Sequence, residues 1–150
     1  MTGYSNIDLS FVNKVATLTI CRQEKLNALS SSMIVSLREA CDEIERSDAR
    51  VVVLTGSGER AFSTGGDIDE WSALEASDFA VRWLRDGHDA FDALSRLRQP
   101  VIAVLNGPAL GGGLELSLCA DYRIAESHVV MGQPETSLGI IAGWSGSQRA

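Results

Sequence analysis

Val101-Ile102-Ala103-Val104-Leu105-Asn106-Gly107-Pro108-Ala109-Leu110-Gly111-Gly112-Gly113-Leu114-Glu115 carries an apolar run through a triple-glycine turn into a short helical pattern, Leu114 to Ala120. A buried strand feeding a helix through glycines is an α/β device. The turn leaves backbone N–H groups free at a helix start, where the dipole adds positive potential. It can hold an anion, including one that exists only in a transition state. Glu115 follows Gly112 by about one helical turn, so a carboxylate and a free N–H can face one pocket. Its place near a helix N-terminus favours the ionised form.

The flanking chain extends the same alternation. Ile7 to Val12 and Val15 to Cys21 read as a hairpin turning at Asn13-Lys14. Ser30 to Ser32 offer caps for a helix with Met33, Leu37, Ala40, Cys41 and Ile44 on its apolar face. Val51 to Leu54 reads as a central parallel strand buried on both faces. A long helix is predicted from about Ser77 to Arg98, packing through Trp83, Leu84, Phe91, Leu94 and Leu97, with Pro100 beyond its end. Tyr122 to Ala125 and Val129 to Gly132 read as short strands, and Gly143 to Ala150 as the opening of a helix. No Pro- or Ser-rich linker, internal repeat or low-complexity tract interrupts this order.

A chain of 150 residues with 45% hydrophobic and 22% charged residues fits one globular domain. The net charge is -7, from 20 acidic and 13 basic residues, which argues against nonspecific nucleic-acid binding. No apolar run approaches the ~20 residues that span a bilayer. Met1 to Asn6 lacks the basic and apolar regions of a secretory signal. Cys21, Cys41 and Cys119 are odd in number, far apart and set in apolar segments, pointing to small buried residues in a reducing, cytoplasmic compartment. His88 and His128 have no partners at metal-ligand spacing, so no metal is expected.

Other motifs carry competing readings. Gly56-Ser57-Gly58-Glu59-Arg60-Ala61 matches a dinucleotide-binding turn, with Glu75 or Asp78 near the ribose-acid spacing. That fold needs a helix to start at the glycines, and Phe62-Ser63-Thr64-Gly65-Gly66 keeps turning instead. Taken alone, Ser63 to Ile68 reads as an ordinary loop with Asp67 capping a turn through Trp71. Its alternative is a second backbone donor aimed at the same oxygen as the Gly112 amide. Glu135, after Pro134, is either a solvated loop acid or the partner of Glu115 in acid and base work. Gly143-Trp144-Ser145-Gly146-Ser147 only partly matches a serine nucleophile elbow, with Ser147 where the second glycine belongs and no strand before it.

Four stretches in order carry a resemblance: Lys25-Leu26-Asn27-Ala28-Leu29, Arg60 to Ile68, Pro100 to Leu116, and Gln133-Pro134-Glu135 to Gly139. Cys119-Ala120-Asp121-Tyr122-Arg123 adds to it. With these motifs the chain resembles the enoyl-CoA hydratase/isomerase (crotonase) superfamily over nearly its whole length. The resemblance implies an α/β spiral of repeated ββα units, with residues 1–150 forming its N-terminal core and the family's C-terminal helical part lying beyond Ala150. The ending inside an opening helix agrees with a longer parent chain. It further implies an enoyl-CoA hydratase adding water syn across 2-enoyl-CoA thioesters. Gly66 and Gly112 would donate to the enolate oxygen, Glu115 would activate water, and Glu135 would protonate the α-carbon. The CoA thioester would lie along Arg22, Lys25, Leu26, Ala28, Thr64, Asp67, Ile68 and Pro134, with Arg22 and Lys25 nearest the phosphates. No cofactor is implied beyond the coenzyme A of the substrate, and neither a membrane nor a nucleic-acid partner. A homotrimer or hexamer is implied for the full-length protein. An isomerase or other acyl-CoA lyase, and a truncated binding fragment without turnover, stand as alternatives. Trp144 stands where smaller residues are common in the family and is expected to narrow or reshape the acyl pocket.

Overall fold

The computed structural model describes residues 3–150. A hairpin of β1 (Ile7–Val12) and β2 (Val15–Ile20) opens a five-stranded sheet of order β1-β2-β3-β4-β6. Asn13 and Lys14 both take positive φ, 49° and 65°, which gives the two-residue turn the twist a hairpin needs. β3 (Val51–Gly56), β4 (Val101–Leu105) and β6 (Tyr122–Ala125) continue the sheet, each pairing in parallel with its neighbour.

Parallel pairing requires crossovers, and helices supply them. The first is α1 (Ser31–Arg46), whose Ser30 hydroxyl accepts from the Met33 amide as N-cap. Its Met33, Leu37, Ala40, Cys41 and Ile44 are buried, as the helical spacing predicts. Short helices α2 (Ile68–Trp71) and α3 (Ala76–Asp78) lead into a π-helical stretch, Phe79–Leu84, and then α4 (Arg85–Ser95). The long helix expected from Ser77 to Arg98 is therefore interrupted and stops at Ser95. Gly87 sits within α4 because a Cβ there would overlap the Trp144 indole.

Val52, Leu54, Val101, Ala103 and Leu105 point into one core with Phe62, Phe91, Leu94 and Leu116. The opposite faces of β3 and β4 are half-buried, so these strands alternate instead of being sealed on both sides. Helices α1 and α4 pack against each other.

Beyond β4 the chain forms β5 (Ala109–Leu110), α5 (Gly112–Leu118), β7 (Met131–Gly132), a 3₁₀ turn over Pro134–Leu138, and α6 (Gly146–Arg149). β5 and β7 pair in parallel as a separate two-stranded ladder. The Val129–Gly132 strand is thus shorter than the sequence implied, and the last helix starts at Gly146. Among the described residues no helix is long and apolar enough to cross a membrane. The three cysteines are free, Cys41 and Cys119 buried and Cys21 half-buried.

Candidate active site

Two glycine turns lie side by side. Phe62 N–H donates to the Pro108 carbonyl at 3.1 Å, and Leu110 N–H to the Ser63 carbonyl at 3.0 Å. On its other edge the first turn bridges to the Lys25–Leu29 segment: Leu29 N–H donates to Gly65 O at 2.7 Å and Asp67 N–H to Leu29 O at 2.8 Å. Extended backbone alternates its donors between the two edges. With Asp67 committed to Leu29, the Gly66 N–H faces the other way, toward Gly112. A Cβ built on Gly112 would stand 3.4 Å from the Gly66 nitrogen. Gly111 makes this approach possible with φ 51° and ψ −127°, a region closed to residues with a side chain. Among the described residues neither the Gly66 nor the Gly112 amide has an acceptor in the protein. Two adjacent, unpaired N–H groups form a ready cradle for one oxygen.

Both carboxyls border the same cavity. Glu115, on the first turn of α5, is 2% exposed and Glu135, in the Pro134–Leu138 turn, 8%. Glu115 Oε1 accepts the Trp144 and Gly146 amides, each at 2.7 Å. That leaves Oε2 free to bond a group in the cavity. Burial pushes the Glu115 carboxyl up; the Gly146 and Trp144 amides oppose this, the nearby Glu135 adds to it, and the net shift is upward. The expectation that the helix start would favour the ionised form is corrected here: loss of solvent outweighs the dipole and the amides. Glu135 Oε2 is buried without a hydrogen-bond partner. A buried polar atom left open beside a cavity is poised for a group that the protein does not supply.

The cavity, roughly 120 Å³, is lined by Thr64, Gly66, Ile68, Gly112, Glu115, Pro134 and Glu135 among the expected residues. The structure places the others elsewhere. Arg22 Nη1 bonds Asp67 at 2.7 Å and the Ala28 carbonyl at 3.1 Å. Asp67 also accepts the Asp69 and Glu70 amides, as the cap of α2. Burial raises the Asp67 carboxyl, but Arg22 and the Glu70 amide outweigh it and hold it below its usual value. Arg22 and Asp67 thus fasten the glycine turn to the Lys25–Leu29 segment. Lys25 is exposed and pairs with Asp69 at 2.7 Å. Leu26 and Ala28 run along the outer edge of the turn, where Leu26 O accepts the Thr64 amide at 3.2 Å.

Several participants were not identified from sequence. Trp71, Phe79 and Trp83 line the cavity, although the helical pattern marks Trp83 as an ordinary packing residue. Asn27, 1% exposed with φ 56°, joins three segments: Oδ1 accepts Arg22 N–H at 2.9 Å, and Nδ2 donates to Ser57 O at 3.0 Å and Ala61 O at 2.9 Å. Asn tolerance of left-handed backbone was the available signal.

The competing motifs resolve differently. Gly56 N–H is taken by Asn106 Oδ1 at 3.1 Å and no helix follows, so Gly56 to Ala61 offers no phosphate cradle. Ser145, at φ 76°, bonds His88 Nδ1 at 2.9 Å but lies outside the cavity lining. This contact anchors the turn whose amides hold Glu115.

A family model described as enoyl-CoA hydratase/isomerase matches residues 10–150. The chain is 39% identical to a crotonyl-CoA hydratase of Syntrophomonas wolfei, over 98% of its own length and 56% of the relative's. It is 42% identical to a short-chain-enoyl-CoA hydratase of Clostridium acetobutylicum, over 97% and 56%. The crystal structure of an enoyl-CoA hydratase from Bacillus anthracis superposes with a TM-score of 0.91 at 36% identity, covering 97% of this chain and 57% of that one. The chain spans just over half the length of these relatives. With that family model spanning residues 10–150 and relatives 39% and 42% identical over nearly its whole length, the chain belongs to the enoyl-CoA hydratase/isomerase (crotonase) family.

Proposed function

We propose that this chain carries the hydration site of an enoyl-CoA hydratase, adding water reversibly to 2-enoyl-CoA thioesters. The observation that carries the reading is the convergence of the free Gly66 and Gly112 amides with two buried carboxyls on one apolar cavity. With the thioester oxygen at the amides, the enoyl carbons lie between Glu115 and Glu135. The Glu115 carboxylate takes a proton from water as the water oxygen bonds C3. The C2=C3 pair moves toward the thioester carbonyl, and the resulting enolate charge is held by the two N–H groups. Glu135 then gives its proton to C2. Glu115 ends protonated and Glu135 ionised, and proton exchange with solvent resets them; dehydration is the reverse. This chemistry requires no cofactor besides the coenzyme A that the substrate carries. The free cysteines support a cytoplasmic setting, and the family supports a trimeric or hexameric assembly for the whole protein.

The test is the loss of conjugated enoyl-thioester absorbance when protein meets 2-butenoyl-CoA. Glu115→Gln and Glu135→Gln should each lower the rate by about 10²–10⁴-fold. Wild-type rates in both variants would refute the assignment. Two acids on the cavity favour hydration over double-bond isomerisation, which can run on one; supplying 3-butenoyl-CoA and analysing products separates them.

A further inference from the structure

Aromatic carbon closes the space beside the two amides. A Cβ on Gly112 would stand 2.9 Å from Trp144 ring atoms, and one on Gly66 would stand 3.6 Å from the same indole. An acyl carbon bound at the amides therefore touches Trp144. The indole cannot retreat. It is 3% exposed, and its Nε1 donates to the Trp83 carbonyl at 3.2 Å. Its ring centroid lies 5.0 Å from that of Trp83, tilted by 40°, and 5.2 Å from that of Phe91, edge-on. Behind it Gly87 leaves only the room the indole already fills.

We propose that Trp144 sets the acyl-length limit of this site and selects a short, unbranched acyl group of about four carbons. The cavity, roughly 120 Å³ and partly open to solvent, ends at the indole beside the two amides. A chain running past the indole meets a wall that its neighbours hold fixed. A methylene with no room is rejected about 10–200-fold in a tight apolar pocket. The inference rests on the acyl-CoA reading above, but on the side chain of Trp144 alone. Its backbone N–H, which holds Glu115, is kept in every variant.

The experiment measures two things on the wild-type chain, Trp144→Phe and Trp144→Ala. The first is kcat/KM for 2-butenoyl-, 2-octenoyl- and cinnamoyl-CoA. The second is calorimetric binding of butyryl- and octanoyl-CoA, which needs no turnover. Wild type should bind butyryl-CoA at least about tenfold tighter than octanoyl-CoA and turn over the butenoyl substrate fastest. Trp144→Ala should shrink both preferences by about tenfold, and Trp144→Phe by less. The smaller change in Trp144→Phe decides the matter if the alanine variant does not melt cooperatively. Equal wild-type affinity for the two saturated thioesters, faster turnover of cinnamoyl-CoA, or an unchanged ratio in a folded variant would overturn the proposal. Discrimination in binding without any hydration would leave it standing and remove the hydratase reading instead.

Discussion

Glu115 is held in a state that favours chemistry over stability. Its carboxyl is raised by burial, so its folded-state value lies above its unfolded one. Below the unfolded value the group is neutral in both states and burial costs nothing on this account. As pH rises through the folded value the ionised form becomes a burden on the folded chain. Gln accepts the same two amides without charge. Glu115→Gln should therefore melt higher than wild type at pH 7, by about 2–4 °C for each kcal/mol released, while losing activity. The melting gap should close below the ordinary Glu range, near pH 4. A gap that persists there would mean that packing, not ionisation, separates the two proteins. The same shift moves the acidic limb of kcat/KM above the usual carboxylate range, read from a pH–rate profile.

Arg22 supports a second residue-scale expectation. Arg22→Ala leaves the Asp67 carboxylate buried with only backbone partners, and should cost about 3 kcal/mol in chemical denaturation. Lys in its place keeps the charge but not the planar guanidinium whose Nη1 reaches both Asp67 and Ala28. The Asp67 cap was legible in sequence, because Asp before a short apolar turn is a recurrent N-cap. Its pairing with Arg22 was not: 45 positions separate them, and only the folded glycine turn brings them together.

At the scale of elements, consecutive glycines in one turn do different work. A Cβ on Gly113 would overlap the Ser63 carbonyl, a backbone atom that cannot swing aside. Gly113→Ala should lose about 1–3 kcal/mol of stability. A Cβ on Gly112 projects into the cavity between the Gly66 amide and the indole. Gly112→Ala keeps its N–H, but the methyl pressed against the fixed indole should shift that donor, lowering kcat by about 10²-fold on top of a loss of stability. Comparing denaturation midpoints with initial rates separates the two outcomes. The triple-glycine turn could be read from sequence because strand, turn and helix follow one another within fifteen residues. The aromatic wall could not: the π-helical stretch over Phe79–Leu84 turns Phe79 and Trp83 away from the face that an unbroken helix would give them. Likewise, the amides that hold Glu115 Oε1 come from a turn about thirty residues further along the chain.

Across the whole molecule, order should concentrate where parallel strands share one buried face. The amides of β3 and β4, flanked on both sides by paired strands, should exchange with deuterium slowest. Those of Val129 to Gly143, with short elements and mostly exposed side chains, should exchange fastest. Mass-spectrometric exchange on the intact chain tests this; equal protection in both regions would contradict it. The α/β order was legible because helical and strand periods alternate cleanly along the chain. The depth of burial of each strand was not, since an apolar run reads alike whether one or both of its faces are covered.

The β5–β7 ladder sets a dimension of its own. Ala109 N–H donates to Val130 O at 3.0 Å and Gly111 N–H to Gly132 O at 2.9 Å. Gly112 follows the first strand by two residues, and Glu135 follows the second by three. Two peptide-to-peptide bonds thus act as the ruler between the point where negative charge collects and the point where a proton is delivered. Because that ruler is built of main chain, an exposed side chain on it such as Met131 can be replaced while the interval it measures stays the same.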